Sequence, residues 1–140
     1  MKTILVATDR TQMASMGVTA TVRRKKHVPM SPGALKLVAD RFRVLAESAR
    51  LRILQSLESA GEMSIGDLAE SLDLSQPNVS KHVKILIESG MVARRQEGNT
   101  VFCSIYDERV FELCDVVCSS LRDRLIAQSA VFDRRPAGRG

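Results

Sequence analysis

The segment that most constrains the fold is residues 64–86, SIGDLAESLDLSQPNVSKHVKIL. Hydrophobic residues recur at helical spacing in each half of the segment, and only a few residues separate the two halves. Ser64 and Ser75 stand where each helix would begin, and serine is a favoured N-cap residue. Pro77 falls in the first turn of the second helix, where its missing N–H costs nothing. The segment therefore predicts two short amphipathic helices joined by a tight turn.

The sequence after these two helices predicts a β-hairpin. Gly90 follows the second helix and is suited to a left-handed helix end. Residues 91–96 form a predicted strand, residues 97–99 a tight turn, and residues 100–105 a second strand with alternating sides. A helix-turn-helix followed directly by a hairpin is the arrangement of a winged helix, in which the second helix enters the DNA major groove.

Three further helices are predicted, over residues 32–46, over residues 48–59 and from Asp107 to about residue 127. The last one carries a wide apolar face. A small domain cannot cover so wide a face, so we expect the first and last helices to pair with a second copy of the chain. The predicted fold is thus mainly α with a small β-hairpin, a winged helix-turn-helix that dimerises through its first and last helices. That apolar face consists of Val110, Phe111, Leu113, Cys114, Val117, Cys118, Leu121 and Leu125.

Charge and composition divide the 140-residue chain into three predicted parts. Residues 1–30 carry six basic residues against one acidic residue, within a total net charge of +5. They form a predicted disordered extension, either a solvated tail or an arm attracted to phosphates. Residues 31–127 are the predicted DNA-binding and dimerisation domain, and residues 128–140 a disordered tail. No membrane span or signal peptide is recognised, so we expect a cytoplasmic protein.

The second helix of the helix-turn-helix and the first hairpin strand carry the residues that we expect to contact DNA. Polar side chains point outward at the start of the helix, where base edges and phosphates would lie. Residues 75–96 hold four basic residues against one acidic residue, which orients this part toward a phosphate backbone. The predicted contacts to double-stranded operator DNA are Ser75, Gln76, Asn78, Ser80, Lys81, Lys84, Arg94 and Arg95.

Together these segments resemble the arsenic-repressor (ArsR) family of winged-helix regulators, from about residue 34 to residue 125. The similarity lies in residues 45–54 (LAESARLRIL), 65–69 (IGDLA), 75–82 (SQPNVSKH) and 94–101 (RRQEGNTV). The resemblance implies a homodimeric bacterial repressor. It also implies that a metal ion, a metalloid or an oxidant modifies the protein and releases it from DNA.

Three cysteines, Cys103, Cys114 and Cys118, form the candidate inducer site. Cys114 and Cys118 are one turn apart on the last helix and share a face, whereas Cys103 is expected to point inward from the second hairpin strand. If the chain doubles back, or if the partner subunit supplies one thiolate, the three would make a soft site. Such a site suits trivalent arsenic or antimony, or another soft metal ion. Thiol oxidation or persulfide formation is the alternative, and cysteine that packs as a small apolar residue is a third interpretation.

The sequence departs from other sites of the family. Some members carry a motif similar to Cys-Val-Cys at the start of the helix-turn-helix, where this chain has residues 62–64 (EMS). In zinc-responsive members, the resemblance implies histidine ligands at the positions where this chain has Arg109 and Ser120. His82 is expected to pack against the core. No catalytic constellation is recognised, so no enzyme is predicted and no cofactor is expected for DNA binding. A winged helix that binds protein instead of DNA remains the other function class.

Overall fold

The computed structural model of the protein describes residues 26–132. Residues 1–25 of the predicted extension and residues 133–140 of the predicted tail lie outside the described residues. The chain divides into two compact units, Met1–Leu35 and Lys36–Gly140. In the described part, the elements in chain order are α1 (Pro32–Leu45), α2 (Ser48–Ala60), β1 (Glu62–Ser64), α3 (Ile65–Leu72), α4 (Gln76–Glu88), β2 (Val92–Glu97), β3 (Thr100–Ile105) and α5 (Arg109–Phe132).

In the first unit, the described residues lead into α1. Residues 26–31 have no regular secondary structure. The helix begins at Pro32, and the Ser31 hydroxyl accepts a hydrogen bond from the Ala34 N–H at 3.2 Å. This serine therefore caps the helix as the sequence predicts.

The helix-turn-helix of α3 and α4 has the predicted bounds and caps. The Ser64 hydroxyl accepts a hydrogen bond from the Asp67 N–H at 3.0 Å, and the Ser75 hydroxyl accepts one from the Asn78 N–H at 3.3 Å. Asp73 ends α3 in the left-handed conformation, with φ of 54°, which an aspartate tolerates better than most residues. Local side-chain chemistry therefore fixes both ends of the turn.

The core lies between α2, α3, α4 and the sheet. Its largest members are fully buried, and each such aliphatic side chain contributes about 1.5–3 kcal/mol relative to an exposed one. The buried hydrophobic residues are Leu45, Ile53, Leu54, Leu57, Leu68, Ala69, Leu72, Val79, Val83, Leu86, Met91, Val92, Cys103 and Val110. The predicted inward face of α4 is therefore confirmed.

The sheet has three strands rather than the two of the predicted hairpin. Its order is β1-β3-β2, and both pairs are antiparallel. Strand β1 places Met63 opposite Cys103 and Glu62 opposite Ser104. Between β2 and β3, Gly98 adopts a positive φ of 59°, which glycine does readily at the first position of a two-residue hairpin loop. The short strand β1 was not predicted because three residues carry no periodic signal.

Helix α5 begins as predicted and ends later. An Asp107 carboxylate oxygen accepts a hydrogen bond from the Arg109 N–H at 3.2 Å, so this residue caps the helix. The expectation that the helix ends near residue 127 was wrong, because it continues to Phe132. No glycine or proline interrupts that segment, so nothing in the sequence stops the helix earlier. Within residues 26–132, no helix combines the length and hydrophobicity needed to cross a membrane.

Helices α1 and α5 each leave hydrophobic side chains uncovered within the single chain. On α1, Leu37 is 72% exposed and Phe42 is 49% exposed. On α5, Val117, Leu121 and Leu125 lie on one face, which we call the apolar stripe, and Val116 and Ile126 are also exposed. Exposed apolar side chains grouped along a helix are typical of a surface that contacts another molecule.

Candidate DNA-binding surface and thiol pair

Helix α4 separates its side chains into a buried face and an exposed face. Val79, Val83 and Leu86 are buried, whereas Asn78 is half-buried and already donates its N–H to the Ser75 hydroxyl. The exposed side chains include five of those predicted to contact DNA, namely Ser75, Gln76, Ser80, Lys81 and Lys84. The N-terminal half of α4 is therefore free to meet a groove, as in other recognition helices.

Strand β2 brings one arginine to the same side of the molecule. Ser80, Lys84 and Arg94 line a recess of about 380 Å³ between α4 and the sheet. Its apolar lining is Ile65, Val83, Ile87 and Val101. The structure therefore joins the helix and the first hairpin strand into one patch, which we call the recognition surface and define as Ser80, Lys81, Lys84 and Arg94.

The basic groups of the recognition surface have no acidic partner. Among the described residues, Lys81, Lys84 and Arg94 form no ion pair with a carboxylate. Arg94 donates only to the side-chain oxygen of Gln96, at 3.3 Å. Glu88 also lines the recess, but no ion pair among the described residues joins it to these cations, so the recognition surface keeps a net positive charge that can attract phosphate.

Arg95 is not brought to the recognition surface, although it follows Arg94 directly. Successive side chains of a strand point to opposite faces, and the Arg95 guanidinium lies 2.8 Å from a Glu62 carboxylate oxygen and 2.5 Å from one of Glu97. It also lies 4.6 Å from the centre of the Phe102 ring. The hydrogen bond from Arg95 lowers the pKa of Glu62, so this cation is already neutralised by carboxylates.

His82 lies on the buried face of α4 and packs toward the core, as predicted. It is 8% exposed, and its Nδ1 lies 3.2 Å from a guanidinium nitrogen of Arg50, which also donates to the Val44 carbonyl. Burial, followed by the charge of Arg50, lowers the pKa of His82. The imidazole is therefore neutral, and its Nδ1 accepts a hydrogen bond from the Arg50 guanidinium.

Cys103 belongs to the core rather than to a site with the other two cysteines. It is fully buried in β3, opposite Met63 and Arg94, and burial raises the pKa of its thiol. Within residues 26–132 of one chain, no three histidine, cysteine or acidic side chains are grouped to hold a metal ion. Of the two arrangements considered for the three cysteines, grouping inside a single chain is therefore not found in residues 26–132, because β3 directs Cys103 into the core.

Cys114 and Cys118 lie together at a groove between α2 and α5. This groove has a volume of about 360 Å³, and Glu58 and Asp115 also line it. Cys114 is half-buried and Cys118 is exposed. Burial, followed by the neighbouring Cys118, Asp115 and Glu58, raises the pKa of the Cys114 thiol. The pair, which we call the α5 thiols, is accessible to a small reagent, and at neutral pH Cys114 is protonated.

The known sequences to which this chain is similar are described as regulatory proteins. The sequence profile described as "Bacterial regulatory protein, arsR family" matches residues 47–94. The HTH-type transcriptional regulator KmtR of Mycobacterium tuberculosis is 32% identical over 112 residues, which are 80% of this chain and 75% of that protein. The arsenical resistance operon repressor of Escherichia coli is 42% identical over 60 residues, or 43% of this chain and 51% of the repressor.

Solved structures share the same architecture. The crystal structure of Mycobacterium tuberculosis Rv0081 is 33% identical, with a TM-score of 0.62 over 71% of this chain and 99% of that chain. A homodimeric winged helix-turn-helix domain, Mb0332 of Mycobacterium bovis, is 26% identical, with a TM-score of 0.58 over 72% of this chain and 95% of that chain. The predicted winged helix is therefore confirmed.

Proposed function

This chain belongs to the arsR family of bacterial regulatory proteins, and it is a transcriptional repressor of that family; we propose that it acts as a homodimer, in the cytoplasm, on operator DNA. We further propose that a trivalent metalloid binds the α5 thiols and releases the operator. The observation that carries this proposal is a pair of accessible thiols on consecutive turns of α5, the helix that also bears the apolar stripe.

The recognition surface supports the DNA-binding half of the proposal. It combines uncompensated cations of α4 and β2 with polar side chains at the start of α4, so phosphates and base edges would both be reached. We retain Ser75, Gln76, Asn78, Ser80, Lys81, Lys84 and Arg94 as the proposed contacts. Arg95 is left out because Glu62 and Glu97 already neutralise it.

The exposed faces of α1 and α5 support a homodimer. Leu37, Phe42 and the apolar stripe would be covered by the same elements of a second copy, which gives a two-fold interface. A two-fold dimer presents two α4 helices to half-sites about one turn of DNA apart. The homodimeric structure of the Mycobacterium bovis relative has the same architecture.

The chemistry of the α5 thiols favours a trivalent metalloid. Arsenous acid is neutral, and two thiols displace two of its hydroxyl groups: two As–O bonds break, two As–S bonds form, and the thiol protons leave in two waters. The arsenic keeps its oxidation state and its third ligand. This exchange suits protonated thiols, whereas a divalent metal ion must first drive out their protons. The raised pKa of Cys114 therefore favours the metalloid.

The same features argue against thiol oxidation. Oxidants react with the thiolate, and a raised pKa leaves little Cys114 thiolate at neutral pH. Residues four apart in a helix have Cβ atoms about 5–6 Å apart, whereas a disulfide needs about 3.5–4.5 Å. A disulfide between the α5 thiols would therefore distort the helix. The redox or persulfide alternative and the protein-binding alternative are kept as outcomes of the test.

The test is release of DNA that the protein has itself selected from a random duplex library, followed by fluorescence anisotropy. Arsenite and antimonite should release the DNA, whereas zinc and hydrogen peroxide should not. Cys114→Ser and Cys118→Ser should abolish release and leave DNA affinity unchanged. Cys103→Ala keeps the core apolar and should respond like the parent protein.

Three results would contradict the proposal in different ways. Selection of no duplex would favour the protein-binding alternative. Release by peroxide that needs both α5 thiols would favour redox sensing. A full arsenite response in Cys114→Ser would remove the α5 thiols as the site, whatever the other variants do.

A further inference from the structure

One arginine side chain joins three helices at the back of the recognition helix. Arg41 of α1 donates one hydrogen bond to the Ser89 carbonyl, at 2.6 Å, and another to an Asp107 carboxylate oxygen, at 3.0 Å. Ser89 is the C-cap of α4, and Asp107 caps the start of α5. The guanidinium therefore ties the end of the recognition helix to both helices that carry the exposed apolar faces.

The surroundings make this junction rigid. The Tyr106 N–H donates to the Met91 carbonyl at 2.9 Å, so the segments after α4 and before α5 are also joined through the backbone. The Asp107 side chain is only 14% exposed, and that of Arg41 is 37% exposed. Two N–H groups of a planar guanidinium can serve two acceptors in fixed directions, whereas a lysine ammonium is a point charge on a flexible stem.

Because the junction lies at one end of α4, a small tilt there displaces the proposed DNA contacts near the other end. Helix α4 has 13 residues and is therefore about 20 Å long. Arg41 holds its C-terminal end, whereas the proposed DNA contacts lie toward its N-terminal end. A tilt of about 10° at the junction would move the far end by about 3.4 Å, which is the spacing of one base step along the duplex.

We propose that Arg41 is a positioning residue that fixes the tilt of α4 and thereby the half-site spacing that the dimer accepts. Arg41 contacts the C-terminal end of α4, whereas Ser75, Gln76 and Ser80 lie at or near its start, so Arg41 acts through α4 and is not itself proposed as a DNA contact. The proposal rests on the proposed function insofar as it requires a dimer on a two-part operator.

The experiment measures affinity as a function of half-site spacing. The full chain selects its operator from a random library, and the spacer is then varied by one and two base pairs in each direction. For the parent protein, we expect each base pair of change to weaken binding about tenfold, because the duplex must twist or bend to fit a rigid dimer. For Arg41→Gln, the same change should weaken binding only about threefold, since α4 and the core on its buried face can then change their angle to α1 and α5 and adapt to several spacings. The affinity of Arg41→Gln for DNA with the preferred half-site spacing should also fall.

Two further variants separate positioning from folding and charge. Arg41→Lys keeps the charge and most of the side-chain volume, so it should fold like the parent and show an intermediate spacing preference. Arg43→Gln is the matched control, because Arg43 is an exposed arginine of the same helix paired with Asp40. This control should keep the parent's preference.

The outcomes distinguish this proposal from the proposed function. A parent protein that selects no duplex would remove the proposed function, and the role of Arg41 with it. A sharp spacing preference that both Arg41→Gln and Arg41→Lys retain would remove only the role of Arg41. A uniform loss of affinity at every spacing would assign Arg41 to fold stability alone.

Discussion

Two adjacent arginines allow a stringent test of the recognition surface. Arg94, Lys81 and Lys84 are uncompensated in each chain, which gives six cations in a dimer. If each neutralises one phosphate, the logarithm of the association constant falls with the logarithm of salt concentration at a slope of about −5.4. Arg94→Gln removes two contacts per dimer, so the slope should become about −3.6. Arg95→Gln should leave the slope unchanged, because Glu62 and Glu97 already neutralise that guanidinium.

Fluorescence anisotropy on one fixed duplex, at several NaCl concentrations, measures these slopes. Between 50 and 200 mM NaCl, the affinity of the parent protein should fall about 2,000-fold and that of Arg94→Gln about 150-fold. Glutamine keeps part of the side-chain length and its hydrogen-bonding capacity in both variants. The comparison therefore isolates charge at two neighbouring positions that differ in their surroundings.

Equal changes of slope in the two variants would refute this reasoning. Such a result would mean that Arg95 leaves its carboxylate partners on DNA, or that the hairpin presents both arginines to phosphate. A parent slope near zero would go further, since it would remove phosphate contacts altogether. A change of the salt slope in Arg94→Gln but not in Arg95→Gln would support the recognition surface as defined.

Three other predictions concern the fold. Because burial lowers the pKa of His82 below its usual 6.5, the unfolded chain takes up the proton more readily than the folded one. The contribution of His82 to the free energy of unfolding is therefore full above about pH 6.5 and falls at lower pH. His82→Gln should weaken this pH dependence in urea unfolding, and an unchanged dependence would exclude His82 as its cause. Leu57→Ala, at a fully buried position, should cost about 3–5 kcal/mol in unfolding free energy, whereas Leu51→Ala, at a position 39% exposed, should cost clearly less. Ser64→Ala should cost about 1 kcal/mol through the lost helix cap, and a neutral effect would contradict that role.

Local signals in the sequence were sufficient for the helix-turn-helix. Ser64 and Ser75 fix the starts of α3 and α4 through hydrogen bonds within one turn, and the fixed φ of Pro77 favours the first turn of α4, so their effect does not depend on the rest of the fold. The three-residue strand β1 exists only because β3 pairs with it. Glu62 is brought to Arg95 by that pairing, so the sequence could not distinguish Arg95 from Arg94.

The cysteines show the same limit. The i, i+4 spacing of Cys114 and Cys118 places both on one face of α5 whatever surrounds the helix. The position of Cys103 relative to them depends on the corner between β3 and α5, which is a matter of tertiary packing. Strand alternation correctly predicted the inward direction of Cys103, but it left open whether the chain brings Cys103 to the other two cysteines.

The strand order β1-β3-β2 leaves β2 at the rim of the sheet, with backbone N–H and C=O groups that pair with no other strand in the described residues. Such a rim invites edge-to-edge aggregation with another molecule, and charged side chains oppose it. The run Arg94-Arg95-Gln96-Glu97 supplies those charges. Arg94, which we propose to contact the duplex, thus also opposes edge-to-edge assembly of the hairpin, so apolar replacements in this run should lower solubility as well as the proposed operator binding.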